Sequence, residues 1–379
     1  MNFTVSSHDL LRVLNAVSKV IQKRNALPIL DNALVSQKEG RFFLTGSSAD
    51  NTLTMPVELL QTDKEAFRPF CIPPASVSAV LATLPEQPIE LSVNTETFLT
   101  TVRYQGGEFN VPGFSAEDFP LPKEVTKPTI VFSVPTNVLF PAMKAASAIA
   151  GEDDLRPVLS AVALDVNAEG ITFVATDGKM LYRYIYVHGV PFLTEGSPGI
   201  ILVPKRIISA FEVPFRNAET VELRHDGSQL VLTANGVTFS VRDIEGKYPN
   251  YNSVIPNANP YHLTLSVPTF LAAIKRVALM ASDASRLIGL RYDASGLVLF
   301  GEDRDYATSA KENLVPLDCT MPEGFAIGFN SSHILTELAS ISTENVRLEL
   351  SAPERAIVVK EDATNSTLLE LLMPMALNG

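Results

Sequence analysis

The sequence predicts an α+β protein made of three tandem copies of one unit. Similar segments recur along the 379 residues at a spacing of roughly 130 residues. Short runs after glycines alternate apolar and polar residues with a period of two, which indicates strands. Helical spacing is confined to about two segments per copy. Strands therefore outnumber helices, and two helices packed on one face of an antiparallel sheet is the arrangement we expect in each copy.

Each copy opens with a strand and an apolar-periodic helix. The three segments read FTVSSHDLLRVLNAV, FSVPTNVLFPAMKAA and LTLSVPTFLAAIKRVA, beginning at Phe3, Phe132 and Leu263. In the first helix, four apolar residues recur at helical spacing and are expected to face the sheet: Leu10, Leu14, Val17 and Ile21. The tetrapeptide SVPT occurs at 133–136 and again at 266–269.

The rest of each copy repeats as well. A glycine-led strand pair follows the helix, with turn glycines at Gly40, Gly170 and Gly296. A second strand and helix come next, beginning at Cys71, Leu202 and Ile327, and a closing hairpin ends the copy. Proline-bearing stretches near 129 and 258 read as linkers. We therefore predict domains at 1–129, 130–257 and 258–379.

Composition limits the possible classes of protein. Hydrophobic residues make up 46% of the chain and charged residues 19%, which is typical of a globular protein. The N-terminus lacks the pattern of a signal peptide, and no apolar run approaches the length of a membrane span. Two cysteines, Cys71 and Cys319, are too few for a disulfide framework and are expected to be buried thiols. We expect a cytoplasmic protein with no membrane partner.

The net charge of −12 argues against nucleic-acid binding unless the basic residues are clustered. Residues 8–24 hold four basic side chains and one acidic one. The same sign recurs on the equivalent helices, and the complete basic set is Arg12, Lys19, Lys23, Arg24, Lys144, Lys205, Arg206, Lys275 and Arg276. Such a pattern predicts a surface for a polyanion. Without tryptophan or interleaved aromatic residues, sequence-independent contact with the backbone of duplex DNA is favoured over base reading.

An enzyme is the less favoured class. The best candidate site would combine Thr176, Asp177 and Gly178 with the acidic run 152–154 for metal-dependent phosphoryl transfer. However, Asp-Gly after a strand is ordinarily a turn, and the five histidines lie at no metal-ligand spacing. We therefore expect no catalytic residue, metal or cofactor. A repeat-built scaffold that binds only protein remains an alternative to a DNA-encircling protein.

Four segments carry a resemblance to a known family. KRNALPILDN at 23–32, ATDG at 175–178, GKYPNY at 246–251 and LLMPMAL at 371–377 closely resemble the bacterial DNA polymerase III β subunits, the sliding clamps. The resemblance covers essentially the whole chain and follows the same three-unit order. It implies a head-to-tail homodimer that closes into a ring around duplex DNA, next to the nucleoid in the cytoplasm. The implied partners are the replicative polymerase α subunit, the clamp loader and other proteins with clamp-binding motifs.

The resemblance also assigns sites to this sequence. In the loops after the leading helices, Arg24 matches the family pattern, and Arg156 and Arg286 stand at equivalent places; a structural salt bridge is the alternative for the last two. The implied partner groove consists of Leu159, Thr176, Gly178, Lys179, Met180, Leu181, Pro249, Val254, Leu371, Leu372, Met373, Pro374 and Met375. Small, aliphatic and methionine side chains suit short peptides anchored by leucine and aromatic residues.

The chain departs from the family at the implied groove and at the ring seam. Lys179 and Met180 replace a frequent His-Arg pair, and Asn378 and Gly379 extend the tail. At the ring seam, Gly106 and Glu108 stand where basic residues are expected. We therefore predict an apolar seam in which residues of the first domain meet residues of the third: Val77, Val80 and Leu81 against Leu279 and Met280.

Overall fold

The computed structural model describes residues 1–22, 25–62, 67–121, 125–188 and 192–377. It confirms the α+β class, since helices pack on sheets whose described strand pairings within each compact unit are antiparallel. The order of elements repeats three times along the chain: one strand, a helix, five strands, a helical segment and three strands.

The first copy ends with a short extra strand, β10 (Phe114–Ser115). Its other elements are β1 (Asn2–Ser6), α1 (Ser7–Ser18), β2 (Ala33–Lys38), β3 (Arg41–Ser47), β4 (Asn51–Val57), β5 (Leu59–Thr62), β6 (Phe70–Ile72), α2 (Pro74–Leu81), β7 (Pro88–Val93), β8 (Thr100–Tyr104) and β9 (Gly107–Val111). The turn between β2 and β3 confirms the predicted hairpin. Glu39 and Gly40 have φ of 52° and 77°, as a two-residue type I′ turn requires.

The second copy has a divided second helix. Its elements are β11 (Ile130–Pro135), α3 (Thr136–Ile149), β12 (Ala161–Val166), β13 (Gly170–Thr176), β14 (Met180–Val187), β15 (Leu193–Gly196), β16 (Gly199–Pro204), α4 (Lys205–Ile208), α5 (Glu212–Phe215), β17 (Thr220–His225), β18 (Gln229–Ala234) and β19 (Val237–Arg242). The sequence suggested one helix where α4 and α5 lie. Pro214 fits the first turn of α5, where its missing N–H is not needed.

The third copy returns to the layout of the first. Its elements are β20 (Tyr261–Ser266), α6 (Val267–Ala278), β21 (Leu287–Asp293), β22 (Gly296–Asp303), β23 (Thr308–Leu314), β24 (Asp318–Cys319), β25 (Phe325–Asn330), α7 (Ser331–Leu338), β26 (Asn345–Leu350), β27 (Ile357–Glu361) and β28 (Leu368–Leu372). Short 3-10 helices lie at Pro28–Asp31, Pro157–Ser160 and Tyr251–Val254.

By compactness the chain divides into two units. The first consists of 1–140 and 192–243 and holds two sheets, with strand orders β5-β1-β7-β8-β9 and β10-β6-β2-β3-β4-β19-β18-β17-β11-β15. The pairing of β4 with β19, through Leu53 opposite Phe239, joins strands of the first and second copies. Cys71 is fully buried in a cluster with Leu30, Leu34 and Phe119.

The second unit consists of 141–191 and 244–379. Its strands run in the orders β12-β13-β14-β28-β27-β26-β20-β24 and β23-β22-β21-β25. Here the pairing of β14 with β28 joins the second and third copies. Because the two compact units share the predicted central domain between them, the boundaries at 129 and 257 stay a prediction.

Glycines let the leading helices lie close to their strands. A Cβ on Gly46 of β3 would lie 2.3 Å from the carbonyl oxygen of Val17 in α1. The corresponding contact in the third copy is looser, because a Cβ on Gly301 of β22 would lie 3.1 Å from Cγ1 of Val277 in α6. Glycine therefore sets the distance from helix to sheet more strictly in the first copy.

The first helix is shorter than the sequence suggested. Ser6 caps α1 by accepting a hydrogen bond from the Asp9 backbone N–H, and Leu10, Leu14 and Val17 are buried as expected. The helix ends at Ser18, with Lys19 as its C-terminal cap. Ile21, expected on the apolar face of this helix, therefore lies beyond its end and is only partly buried. No helix in the described ranges is long and apolar enough to cross a membrane.

Candidate functional site

The centre of the predicted partner groove is the pairing of β14 with β28. Leu181 lies opposite Leu371 and Met180 opposite Leu372, and the Met373 backbone N–H donates to the Lys179 carbonyl oxygen at 2.8 Å. Opposed residues share a face of the sheet, and successive residues alternate between faces. The pairing therefore brings two distant segments of the sequence into one surface, as predicted.

The same alternation corrects two members of the predicted groove. Met180 and Leu372 point to the face that packs against α7, since Leu372 has the same parity as Glu370 on that side. Met180 is 7% and Leu372 0% exposed. Neither side chain can line a groove on the opposite face. Their inclusion in the predicted groove was wrong. The prediction took consecutive residues of each segment together, although neighbouring residues of a strand face opposite sides of the sheet.

The groove face itself has a buried floor and an exposed rim. Leu181 and Leu371 are only 2% and 4% exposed, so they form the floor. Val254 is 58% and Met373 42% exposed, and Pro249 is exposed as well. The exposed apolar surface of the predicted groove is therefore supplied mainly by the 249–254 segment and by the tail after β28.

The tail continues past this surface to a second strand. The Met375 backbone N–H donates to the Gly328 carbonyl oxygen of β25 at 2.7 Å, while Pro374 and Met375 are partly buried. A Cβ on Gly328 would lie 2.7 Å from the carbonyl oxygen of Met375. The tail is thus fixed at both ends of the groove segment. Asn378 and Gly379 lie outside the described residues.

The turn of the ATDG motif is held by its own side chains. Thr176 Oγ1 donates to the Met180 carbonyl oxygen at 2.5 Å, and Asp177 Oδ1 accepts from the Lys179 and Met180 backbone N–H groups at 2.7 and 2.6 Å. Gly178 has a φ of 88°, which favours glycine. Asp177 therefore has a structural role, and it is one that the predicted site did not include.

Two further loops hold other residues of the predicted groove. Leu159 lies in the Pro157–Ser160 turn, where its carbonyl oxygen accepts from the Gly151 N–H at 2.8 Å. A Cβ on Gly151 would lie 3.5 Å from Cα of Asp177, which places this loop beside the ATDG turn. The other loop, 249–254, is held in place by Tyr251, whose hydroxyl donates to Asp165 Oδ2 at 2.7 Å. Burial, reinforced by that bond, raises the pKa of Tyr251 to about 12.

His333 is a neighbour of the groove that the sequence did not reveal. It lies on α7, close enough to Asp177 and Lys179 for their charges to affect it. Burial lowers the pKa of His333, so the neutral form is favoured near pH 7. The only signal in the sequence was its place on a helix after a strand, which did not show which loop it would face.

Most of the predicted DNA-contacting cations that the structure describes are exposed, although Arg12 and Lys205 are partly buried, and several have acidic neighbours. Arg12 pairs with Asp9, Arg156 Nε lies 2.7 Å from Asp153 Oδ2, Arg206 Nη2 lies 3.5 Å from Asp50 Oδ2, and Arg276 Nε lies 3.1 Å from Glu312 Oε2. Arg286 Nη1 instead donates to Ser332 Oγ at 2.6 Å. For Arg156 the alternative of a salt bridge is thus observed. Ion pairs at such exposed sites contribute little to stability and can exchange for phosphate.

Most lysines of the same set differ from these arginines in having no acidic partner among the described residues. Lys19, Lys144 and Lys275 are exposed, and among the described residues none of them forms an ion pair. Lys205 is partly buried at the start of α4. Lys23 and Arg24, the residues closest to the family pattern, lie outside the described ranges. Readily available positive charge is therefore supplied mainly by lysine.

The structure also corrects the predicted ring seam. Val77 and Leu81 are 0% exposed, because their i, i+4 spacing places them on the inner face of α2. They are core residues, and naming them as seam residues was wrong. Val80 is partly buried, whereas Leu279 is 78% and Met280 41% exposed just after α6. The candidate apolar seam is therefore reduced to these three side chains.

Glu108, the unexpected acid near the seam, has a local partner. Arg103 Nε lies 3.0 Å from Glu108 Oε2 across the β8–β9 hairpin. Strand β9 is the last in its sheet, and β23 is the last in another. Each therefore presents one row of backbone groups that no strand in the described part of the chain covers.

Comparison with known proteins identifies the family. Residues 1–123 match the family model described as DNA polymerase III beta subunit, N-terminal domain, and residues 252–376 match the model of its C-terminal domain. The chain belongs to the DNA polymerase III beta subunit family. The two matched segments together span more than half of the sequence and lie at its two ends.

Relatives and solved structures in this family match over their whole length. The chain is 25% identical to the beta sliding clamp of Caulobacter vibrioides over 99% of this chain and 100% of the relative. It is 24% identical to the beta sliding clamp of Escherichia coli, over 100% of both. The crystal structure of the Pseudomonas aeruginosa sliding clamp bound to griselimycin superposes with a TM-score of 0.89 at 25% identity, covering 100% of both chains.

Proposed function

We propose that this protein is the processivity factor of DNA replication: a dimeric ring that encircles duplex DNA and tethers the replicative polymerase to it. Membership of the DNA polymerase III beta subunit family, with full-length likeness to proteins named beta sliding clamp, carries the proposal. The protein acts by topology and by binding, and it catalyses no reaction. In this proposal it works in the cytoplasm, at the nucleoid.

The distribution of charge supports contact with the DNA backbone. The exposed lysines and arginines of the predicted set lie on α3, α4 and α6, at the end of α1, or in the loops after the leading helices. Their contacts must be weak and independent of sequence, because tight or base-specific contacts would stop sliding. Lysines that can exchange partners and arginines in exposed ion pairs satisfy that requirement.

The exposed edges support closure of the ring. We infer that β9 of one protomer lies against β23 of its partner, with Leu279 and Met280 packing beside Val80 at the same seam. Backbone hydrogen bonds would then cover both free edges, and two such contacts close a head-to-tail pair under a two-fold axis. The three domains at 1–129, 130–257 and 258–379 are part of this proposal.

The groove around Leu181 and Leu371 supports recruitment of partners. Its exposed rim at Val254 and Met373 suits a peptide anchored by leucine and an aromatic residue. We propose that the polymerase α subunit, the clamp loader and other proteins with clamp-binding motifs use it in turn. A scaffold that binds only protein through this groove is the alternative function.

Retention on circular DNA separates the two functions. A protein loaded on nicked circular duplex should stay on it through gel filtration and should be lost after the circle is cut once. Blocking both ends of the cut DNA should restore retention. Failure to stay on the circle, or persistence on linear DNA with free ends, would favour the scaffold.

The groove is tested separately from the ring. Val254→Asp and Met373→Asp should each abolish binding of a peptide anchored by leucine and phenylalanine, since they place a charge on the exposed apolar rim. Retention on circular DNA should be unchanged in both variants. Peptide binding that survives both substitutions would mean that the groove is misplaced.

A further inference from the structure

A second, polar groove continues the partner groove along the same strands. It has a volume of about 610 Å³ and lies over β14, β28, β27 and β26. One cross-strand row carries the partner groove: Leu181, Leu371 and Val358 lie opposite one another in turn. Two residues further along each strand, and on the same face, a second row places Arg183, Leu369, Lys360 and Arg347 side by side. The two rows are about 7 Å apart.

The three cations of the second row are not equivalent. Lys360 Nζ lies 2.9 Å from Glu349 Oε2, and Arg347 Nε lies 3.7 Å from the other oxygen of that carboxylate. Arg183 makes no ion pair with any residue that the structure describes. Its Nε is buried, yet it has no hydrogen-bond partner among the described residues. A buried donor without a partner is costly, and a guanidinium meets that need best with a carboxylate.

The acids around Arg183 are already committed or distant. Asp165 accepts the Tyr251 hydroxyl at 2.7 Å. Glu361 accepts from Ser342 Oγ at 2.5 Å and from Ser366 Oγ at 2.8 Å. Asp362 is exposed and follows β27, two strands from Arg183, a separation of about 10 Å. None of the carboxylates that the structure describes therefore pairs with Arg183, and the open groove leaves room for one from outside.

We propose that Arg183 binds an acidic side chain of the same partner peptide whose apolar anchor occupies the neighbouring groove. This inference rests on the proposed function, because the peptide is placed by that anchor. An extended chain advances about 3.3 Å per residue, so the acid would lie two to four residues from the anchor. The second row then makes Arg183 a specificity-determining residue: it selects peptides whose apolar anchor is flanked by aspartate or glutamate.

Dye-labelled synthetic peptides test this directly. All share a leucine-phenylalanine anchor, and each carries on one flank either two aspartates or two asparagines, two and four residues away. Fluorescence anisotropy at low salt should show one acidic peptide binding about tenfold more tightly than its asparagine counterpart. Raising the salt should reduce that ratio, because the groove is open to solvent.

Arg183→Met removes the charge but keeps the apolar stem. We expect this variant to lose the preference for aspartate while binding the asparagine peptides as before. Arg224→Met is the matched control, since Arg224 is also a strand arginine but lies in the other compact unit. It should leave the tenfold ratio intact. Matching thermal unfolding of the variants and the parent would show that the substitutions leave the fold unchanged.

The outcomes separate the two proposals. Asparagine peptides that bind as tightly as aspartate peptides would overturn the role of Arg183 and leave the partner groove in place. A preference that survives Arg183→Met would also overturn it. If no peptide binds the parent protein, both this inference and the proposed partner groove fail.

Discussion

Helices α1 and α6 occupy the same place in the first and third copies, and they differ in what they present to solvent. Both have twelve residues, and their buried apolar positions match at a constant offset, with Leu10, Leu14 and Val17 in α1 and Phe270, Ile274 and Val277 in α6. The residue that directly follows the helix is Lys19 in the first copy and Leu279 in the third. The inner face is thus repeated while the exposed end has diverged, from a cation suited to DNA to an apolar side chain suited to a protein seam.

The largest expected effect is on assembly. Leu279→Asp places a charge in the proposed seam and should raise the dissociation constant of the dimer roughly 100-fold or more. Lys19→Asp, at the equivalent position of α1, should leave the dimer intact. Sedimentation velocity at micromolar concentration distinguishes the two variants. A Leu279→Asp dimer as stable as the parent would remove this residue from the seam.

The second effect is on stability. Gly46→Ala should cost about 2–3 kcal/mol of unfolding free energy, because its Cβ would meet the backbone of Val17. Gly301→Ala should cost about 1 kcal/mol or less, since the side chain of Val277 can shift. Urea unfolding at one protein concentration gives both values. Equal losses would mean that the two helices are held at the same distance from their strands.

The third effect extends the comparison to the second helices, α2 and α7. The seventh residue of α2 is Val80, whereas that of α7 is the fully buried Glu337. Burial, with the nearby Glu370, raises the pKa of Glu337 well above its usual range. Neither carboxyl oxygen of Glu337 has a hydrogen-bond partner among the described residues. Stability should therefore fall as the pH rises from the unfolded pKa, about 4.3, towards the raised pKa in the folded chain.

Glu337→Gln should remove that loss. The variant should gain stability relative to the parent as the pH rises from about 4 to 8, by at least about 1 kcal/mol at the upper end. Glu361→Gln is a control in which the pKa of the replaced carboxyl is shifted in the opposite direction. Although burial opposes the shift, hydrogen bonds from Ser342 and Ser366 lower the pKa of Glu361, so its replacement should cost stability above the unfolded pKa. Thermal unfolding across this range is the measurement, and parallel curves for all three proteins would contradict it.

The smallest effect is on DNA. Lys19→Ala should weaken binding of a short linear duplex and reduce the slope of log K against log salt by about 0.9. Lys38→Ala removes an exposed lysine at the end of β2 and should leave that slope unchanged. Titrations between about 50 and 200 mM salt measure both. An unchanged slope for Lys19→Ala would place the end of α1 away from the duplex.

Local periodicity was enough to predict much of the fold. The threefold order of elements, the buried face of α1 and the turn at Gly40 all follow from spacing within a few residues. The same reasoning, applied to α2, would have assigned Val77 and Leu81 to the core instead of the seam. The alternation of side chains along a strand would likewise have placed Met180 and Leu181 on opposite faces of the sheet.

Features that depend on distant residues could not be predicted in this way. The acid beside Arg206 is Asp50, and the acid beside Arg276 is Glu312 on a neighbouring strand. The end of α1 at Ser18 is followed by no proline or glycine before Pro28, so nothing local marked it. Arg183 was unremarkable in the sequence, because its unpaired Nε depends on which strands lie beside β14.

The buried thiol of Cys71 has a practical consequence. Burial raises the pKa of Cys71 to about 12, and the side chain is closed off from solvent. Cys319 on β24 is only partly buried, contrary to the prediction of two buried thiols. A maleimide dye near pH 7 reacts with accessible thiolates and should therefore modify Cys319 alone. The natural sequence thus offers a single fluorescent label in each protomer, and the distance between the two labels in a ring would report its opening without any substitution.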